Sequence, residues 1–236
     1  MPYPWGDERR FNSYAAYFKR TFGSRMQKVT INAGFSCPNR DGTCGEGGCI
    51  FCDGSGAFAG RGHSVTAQLD AAKARVQAKN PGGKYIAYFQ AFTNTYAPEE
   101  RLRSLYEAAL APGDVVGLSI GTRPDCLGED VIALLEELNR KKPVMVELGL
   151  QTVHDETAAR INRGHSYADF LQTYERLRQK APKIRLGVHL IFGLIGENDE
   201  MMMKSAKSVA ALCPDELKLH YLYVLEQTKM GEIYRS

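Results

Sequence analysis

No run of about 18 or more apolar residues occurs in the chain, so a membrane-spanning helix is not expected. No apolar core follows a basic start either, because the chain begins Met1-Pro2-Tyr3-Pro4-Trp5. An ordinary secretory leader is therefore not expected. A cytoplasmic location is the expectation, in a compartment where thiols stay reduced. Charge of one sign is not in excess: 30 Lys and Arg stand against 27 Asp and Glu, for a net charge of +3. Such a balance neither demands nor rules out a nucleic-acid partner. Internal repeats and low-complexity tracts are absent as well.

What remains is ordinary globular composition, with 44% hydrophobic and 24% charged residues in 236. That length suits one domain of barrel size, or two small ones. Short β-rich runs alternate with longer amphipathic ones. Residues 28–33, 84–89, 115–120, 144–150, 185–192 and 217–224 read as strands, several almost continuously apolar. Runs of that kind suit parallel strands covered on both faces. Residues 65–79, 98–110, 129–140, 167–180 and 199–212 carry apolar residues at spacings of three and four, as helices do. Turn signals separate them at Asn80-Pro81-Gly82-Gly83, Ala111-Pro112-Gly113-Asp114 and Lys142-Pro143. Stacked βαβ units and a parallel sheet follow. Six strands are too few for a closed eight-stranded barrel. An open partial barrel and a doubly wound sheet both fit.

Residues 1–27 read as a separate N-terminal arm, with the main domain over 28–236. The arm mixes Arg9, Arg10, Lys19, Arg20 and Arg25 with Tyr14, Tyr17, Phe18 and Phe22. Bases interleaved with aromatics can bind nucleic acid. The helical spacing of the aromatics favours packing on the barrel instead.

Six cysteines need an account in a reducing compartment, and four of them crowd into residues 37–52. The segment is Cys37-Pro-Asn-Arg-Asp-Gly-Thr-Cys44-Gly-Glu-Gly-Gly-Cys49-Ile-Phe-Cys52, directly after the first strand. Loops at the C-terminal ends of parallel strands are where active sites form. A Gly-rich loop can wrap thiolates around an iron–sulfur cluster. A structural zinc held by all four thiols is the competing reading. Cys37 and Cys44, seven residues apart, make a loose second pair for zinc. A zinc-stabilised RNA-binding module without redox chemistry is the corresponding rival function.

The spacing Cys37-x11-Cys49-x2-Cys52, with Phe51 before the last cysteine, resembles radical S-adenosylmethionine (SAM) proteins related to the Elongator catalytic subunit. It is most similar to a largely uncharacterised bacterial family with a GFxCPNRDG-like start and a GGCxFC-like end to this loop. The likeness runs from about Phe22 to about Lys229. It implies an open (βα)6 partial TIM-type barrel in the α/β class, with a parallel sheet. It also implies a [4Fe–4S] cluster on Cys37, Cys49 and Cys52, with one iron open to SAM. An electron from the cluster would cleave SAM to methionine and a 5′-deoxyadenosyl radical, which abstracts hydrogen from a substrate.

Further residues fall in place by the same likeness. Phe51 would lie against the adenine. Gln90, Thr93 and Asn94 stand where relatives have a glycine-rich turn meeting the SAM amino group. Gly121 stands where relatives often carry Glu, which leaves Thr122 and Arg123 as the candidates there. Alternation puts Glu147, Gly149 and Gln151 on one strand face, and Gln151 would contact SAM. Arg163, in Asn162-Arg163-Gly164-His165, would pair with the SAM carboxylate. Phe192 and Leu194 would pack near the adenine. Cys44 falls outside the ligand pattern, since a fourth ligand would block SAM. Cys126 is the one candidate for donating hydrogen, against a plain buried thiol. His189 and His220 are core residues or face the substrate end. Partners implied are an electron donor of flavodoxin or ferredoxin type and, from the kinship and the arm, a tRNA substrate. Relatives continue beyond the sixth strand, so the chain reads as a shortened member.

Overall fold

The computed structural model describes residues 3–24, 26–54, 63–77 and 83–235. Arg25, the end of the helix expected to reach 79 and the turn at 80–82 lie outside the described residues. The elements run α1 (Tyr14–Phe22), β1 (Met26–Ile31), α2 (Val65–Gln77), β2 (Lys84–Phe89), α3 (Glu99–Leu110), β3 (Val115–Thr122), α4 (Glu129–Lys141), β4 (Val144–Gln151), α5 (Asp155–Arg160), α6 (Tyr167–Lys180), β5 (Arg185–Phe192), α7 (Asp199–Ala211), β6 (Glu216–Tyr221) and α8 (Lys229–Arg235). A 3-10 turn at Pro124–Cys126 follows β3.

All six strands pair in parallel, in the order β1-β2-β3-β4-β5-β6. Consecutive parallel neighbours need a crossover each, and the helices between strands supply them. The sheet curls, so that Lys28 on β1 and Lys218 on β6 both approach Glu147 on β4. The result is an open half-barrel rather than a flat doubly wound sheet.

Alternation along each strand sorts the side chains. Val29 and Ile31, Leu118 and Ile120, Val146 and Leu148, and Val188 and Leu190 join the core shared with the helices. Each fully buried Leu or Val contributes about 1.5–3 kcal/mol relative to exposure. That outer seam therefore holds the sheet, which leaves the inner face free for polar residues. The inner face carries Lys28, Tyr88, Ser119, Glu147, His189 and Lys218, which bond to one another.

Several boundaries differ from the sequence reading; β1 ends at Ile31 rather than 33, and β3 runs on to Thr122. β1 opens at Met26, inside the region expected to be the arm. β6 ends at Tyr221, so 222–224 leave the sheet. β6 is also not covered on both faces: Leu217, Leu219 and Tyr221 are 45%, 53% and 77% exposed. An apolar run marks a strand but does not say what lies over it.

The N-terminal arm packs down. Ser13 caps α1 by accepting from Ala16 N, and Gly23 ends it with a left-handed φ of 70°. Phe18, Met26 and Ile86 form a small core, joined by Tyr14, Tyr17 and Phe22. Phe18 is 3% exposed, so its ring is spent on packing rather than on stacking with bases.

Candidate cluster and cofactor site

The loop after β1 is built by its own backbone. Arg40 N and Asp41 N donate to Cys37 O, Cys44 N donates to Pro38 O, and Gly48 N donates to Asn39 O. Cys52 N closes a tight turn on Cys49 O at 2.9 Å. The turn after α5 clamps the loop from outside: Asn162 Nδ2 donates to Gly48 O at 2.8 Å, and Ile50 N donates to Ile161 O at 3.1 Å.

Cys37, Cys49 and Cys52 line one cavity of about 180 Å³ at the C-terminal ends of the strands. Cationic and amide donors point at two of the sulfurs. Arg40 Nη1 is 3.8 Å from Cys52 Sγ, Arg163 Nη1 is 3.7 Å from Cys49 Sγ, and Asn39 Nδ2 is 3.9 Å from Cys49 Sγ. Burial pushes the Cys52 thiol up, and the adjacent Cys49 adds to this; the Arg40 guanidinium opposes both. Among the described residues, no three His, Cys, Asp or Glu side chains converge as ligands of a single metal ion. Thiols spread around a cavity wall suit a centre of several atoms better than a tetrahedral zinc.

The rest of the cavity wall comes from the other strand ends. Phe51, Gln90, Thr93, Thr122, Arg123, Glu147, Gln151 and Arg163 all line it. Gln151 takes a φ of 78°, at a register shift between β4 and β5. A left-handed conformation at a non-glycine residue is strained and collects at functional sites. Gly149 makes room for Arg163: a Cβ there would meet Arg163 Nη2 at 2.8 Å and Gln151 Nε2 at 3.0 Å. Arg123 acts as a clamp. It donates to Arg163 O at 2.7 Å and Gly164 O at 3.0 Å, and it pairs with Asp125 at 2.7 Å. His165 beside Arg163 is lowered to about 4, first by burial and then by that guanidinium.

Three wall residues carry buried polar atoms with no hydrogen-bond partner: Thr93 Oγ1, Gln151 Oε1 and Arg163 Nε. Such atoms are costly when buried unpaired. Their convergence on the thiol-lined cavity fits a site that receives a polar ligand.

Four expected site residues lie off this wall. Asn94 Nδ2 donates to Phe89 O and Gly121 O, tying its loop to the strand ends. Leu194 packs with Ile50, Ile161, Ile191 and Met230, with Phe51 set against that cluster. Phe192 lines a separate groove with Tyr221 and Tyr234. Cys126 shares another groove with Cys44, and burial and then Asp125 push its thiol up to about 12. Cys126 thus lies outside the thiol-lined cavity, and its carbonyl accepts from Thr95 Oγ1, which also pairs with Thr122 Oγ1. His189, read in the sequence as core or substrate-facing, lines the site, and Asn39 and Arg40 line or bond to it without having been singled out. The Asn39-Arg40 pair between Pro38 and Asp41 was the available signal.

The chain matches the Radical SAM superfamily model over residues 37–209. It is 47% identical to the uncharacterized protein YtqA of Bacillus subtilis, over all of this chain and 74% of that protein. A tRNA uridine(34) acetyltransferase of Methanocaldococcus jannaschii is 32% identical over 51% of this chain and 22% of its own length. In fold, the half-barrel is similar to the archaeal Methanocaldococcus infernus Elp3 with an N-terminal deletion. The TM-score is 0.65 at 21% identity, covering 89% of this chain and 49% of that one. This chain thus spans about half the length of that Elp3. With the superfamily model covering most of the half-barrel and YtqA aligned over all of this chain, the chain belongs to the radical SAM superfamily of enzymes.

Proposed function

We propose that the chain is a radical SAM enzyme in which Cys37, Cys49 and Cys52 hold a [4Fe–4S] cluster and the adjoining wall holds SAM. The observation that carries this reading is the set of partnerless atoms on Thr93, Gln151 and Arg163, beside three thiols in one cavity. A cluster held by these thiols would supply one-electron reduction of SAM, and so the radical that abstracts hydrogen.

The chain's own residues do the binding and orienting. Arg163 offers a guanidinium to the carboxylate of SAM, the geometry a fork of N–H donors suits best. Gln151 and Thr93 offer polar atoms to its amino group and ribose, with Gln90 and Thr122 beside them. Phe51 gives a flat apolar face for the adenine. Arg123 positions Arg163 through its backbone carbonyl. Glu147 forms the floor, with both oxygens taken by protein donors, so it supports the site rather than binding SAM directly. A flavodoxin- or ferredoxin-type protein serves as reductant.

Replacing Arg163 with Met is expected to weaken SAM binding to the cluster-loaded protein by about tenfold or more, the worth of one charged hydrogen bond. Arg163→Lys recovers part of the loss, and iron content stays at the wild-type level in both. Unchanged SAM affinity in Arg163→Met removes that residue from the cofactor site.

tRNA is the substrate class this reading favours. Its support is the relative named for tRNA uridine(34), 32% identical across half of this chain. Nucleosides from a strain lacking the gene test it. A missing or accumulated modified uridine is the expected outcome, and an unchanged profile rejects tRNA.

A further inference from the structure

Glu147 and His189 line two cavities at once. The cofactor cavity lies on one side. On the other, toward α1, is a chamber of about 620 Å³ walled by Tyr14, Lys28, Arg185, Glu216 and Lys218. Its size is that of a small-molecule site.

The chamber carries more cationic charge than its own carboxylates neutralise. Lys28 reaches Glu147 Oε1 at 2.5 Å. Tyr88 Oη and His189 Nε2 bond to Oε2 at 2.9 and 2.6 Å. Lys218 is left 3.8 Å from that Oε2, beyond hydrogen-bond reach. Among the described residues its ammonium donates to Tyr88 Oη alone, at 2.9 Å, though it has three N–H groups. Arg185 comes no nearer than 3.7 Å to Glu216; its Nη2 donates to Asp215 O at 3.3 Å and its guanidinium lies over the Tyr17 ring, while its Nε and Glu216 Oε1 are both buried without a hydrogen bond.

The acids opposite are fewer or already engaged. Asp215 is held by Arg178 at 2.8 Å and by Leu186 N at 2.8 Å. Burial pushes the Glu216 carboxyl up to about 7, so it is only partly charged at neutral pH. His220 is lowered to about 4 and His189 is also lowered, both first by burial, so neither adds charge. Lys28, Arg185 and Lys218 thus face one full carboxylate, Glu147, and one partial one, Glu216. The Lys218 and Arg185 side chains are 37% and 30% exposed, so both are open to an incoming anion that would pair with them.

We propose that this chamber binds the substrate through an anionic group, a carboxylate or a phosphate, held by Lys218 with Arg185 behind it. Phe11, Tyr14 and Leu219 give the chamber apolar walls suited to a flat ring beside that group. The proposal rests on the radical SAM reading in one respect: the Glu147–His189 wall puts the bound substrate next to the cofactor cavity.

Calorimetric titration of the cluster-loaded protein with benzoate, phenyl phosphate and benzamide tests it. At least one anion binds about tenfold or more tightly than neutral benzamide, and the stronger of the two tells carboxylate from phosphate. Lys218→Met removes the preference, Lys218→Arg keeps it, and saturating SAM does not displace the anion. Equal binding of all three probes, no binding, an unchanged preference in Lys218→Met, or displacement by SAM each overturns the proposal. A protein that fails to bind SAM yet keeps the Lys218-dependent preference refutes the cofactor reading and leaves the anion site standing.

Discussion

Replacing Cys52 with alanine is expected to lower the iron of anaerobically reconstituted protein from about four atoms per chain to near zero. Cys37→Ala and Cys49→Ala behave alike, while Cys44→Ala and Cys126→Ala keep the full content. The division follows from geometry. Cys37, Cys49 and Cys52 share one cavity, and Cys44 and Cys126 face a different groove. Donors also point at two of the first three sulfurs. Arg40 and Arg163 point guanidinium groups at Cys52 and Cys49, while Arg123 Nη2 comes within 3.6 Å of Cys44 but is already committed to Asp125 and Gly164 O. Iron and sulfide assays across the five variants measure the outcome. Loss of metal in Cys44→Ala, with zinc replacing iron in the parent, would restore the four-thiolate zinc reading.

The second large effect is on stability. Glu147→Gln is expected to cost roughly 3–5 kcal/mol in denaturant unfolding, the usual result of breaking a buried ion pair from one side. Glu147 is 3% exposed. It accepts from Lys28, Tyr88, Ser119 and His189, and Lys218 stands 3.8 Å away. The amide keeps the shape but takes the counterion from Lys28 and removes the carboxylate charge 3.8 Å from Lys218.

Acid should show the same group. Burial alone would raise the Glu147 carboxyl, but the His189 hydrogen bond, Lys28 and Lys218 outweigh it and hold it well below the usual carboxylate range. A carboxyl lowered on folding contributes stability that is complete above its unfolded value, about 4.3, and is lost as pH falls toward the folded value. His220 acts at higher pH in the same sense. Lowered to about 4, it takes up a proton more readily unfolded than folded. Its share declines as pH falls from about 6.5. Glu216, raised to about 7, gains stability over the same range as pH falls and offsets the His220 loss, so the net drop in wild-type stability falls at the lower stage, and Glu147→Gln should lack it. A Glu147→Gln curve parallel to wild type below about pH 4 contradicts this assignment of the charge.

Much of the fold was legible because its determinants are local. Val144–Gln151 is nearly all apolar with glycine at one inner position, and it folds as a strand buried on both faces. The βα rhythm and the cysteine spacing are likewise local patterns. Alternation placed Glu147, Gly149 and Gln151 on one face, and all three line the cofactor cavity. Side chains beyond the strand ends were less legible. Phe92 turns with a φ of 64°, after which Thr93 faces the cavity while Asn94 turns back to tie the loop to β3. No periodicity foretells such a turn. The inner charge network was hidden for a different reason. Lys28 and Lys218 lie 190 residues apart in sequence and meet at Glu147 only because the sheet curls. Curl is a property of the whole assembly of strands and has no local signature.

Incubation of the reconstituted, dithionite-reduced protein with SAM under anaerobic conditions tests the central claim most directly. The expected result is 5′-deoxyadenosine and methionine in equal amounts from wild type and none from Cys52→Ala. An intact, reduced four-iron cluster in the presence of saturating SAM, with no 5′-deoxyadenosine formed, would contradict radical SAM activity for this chain.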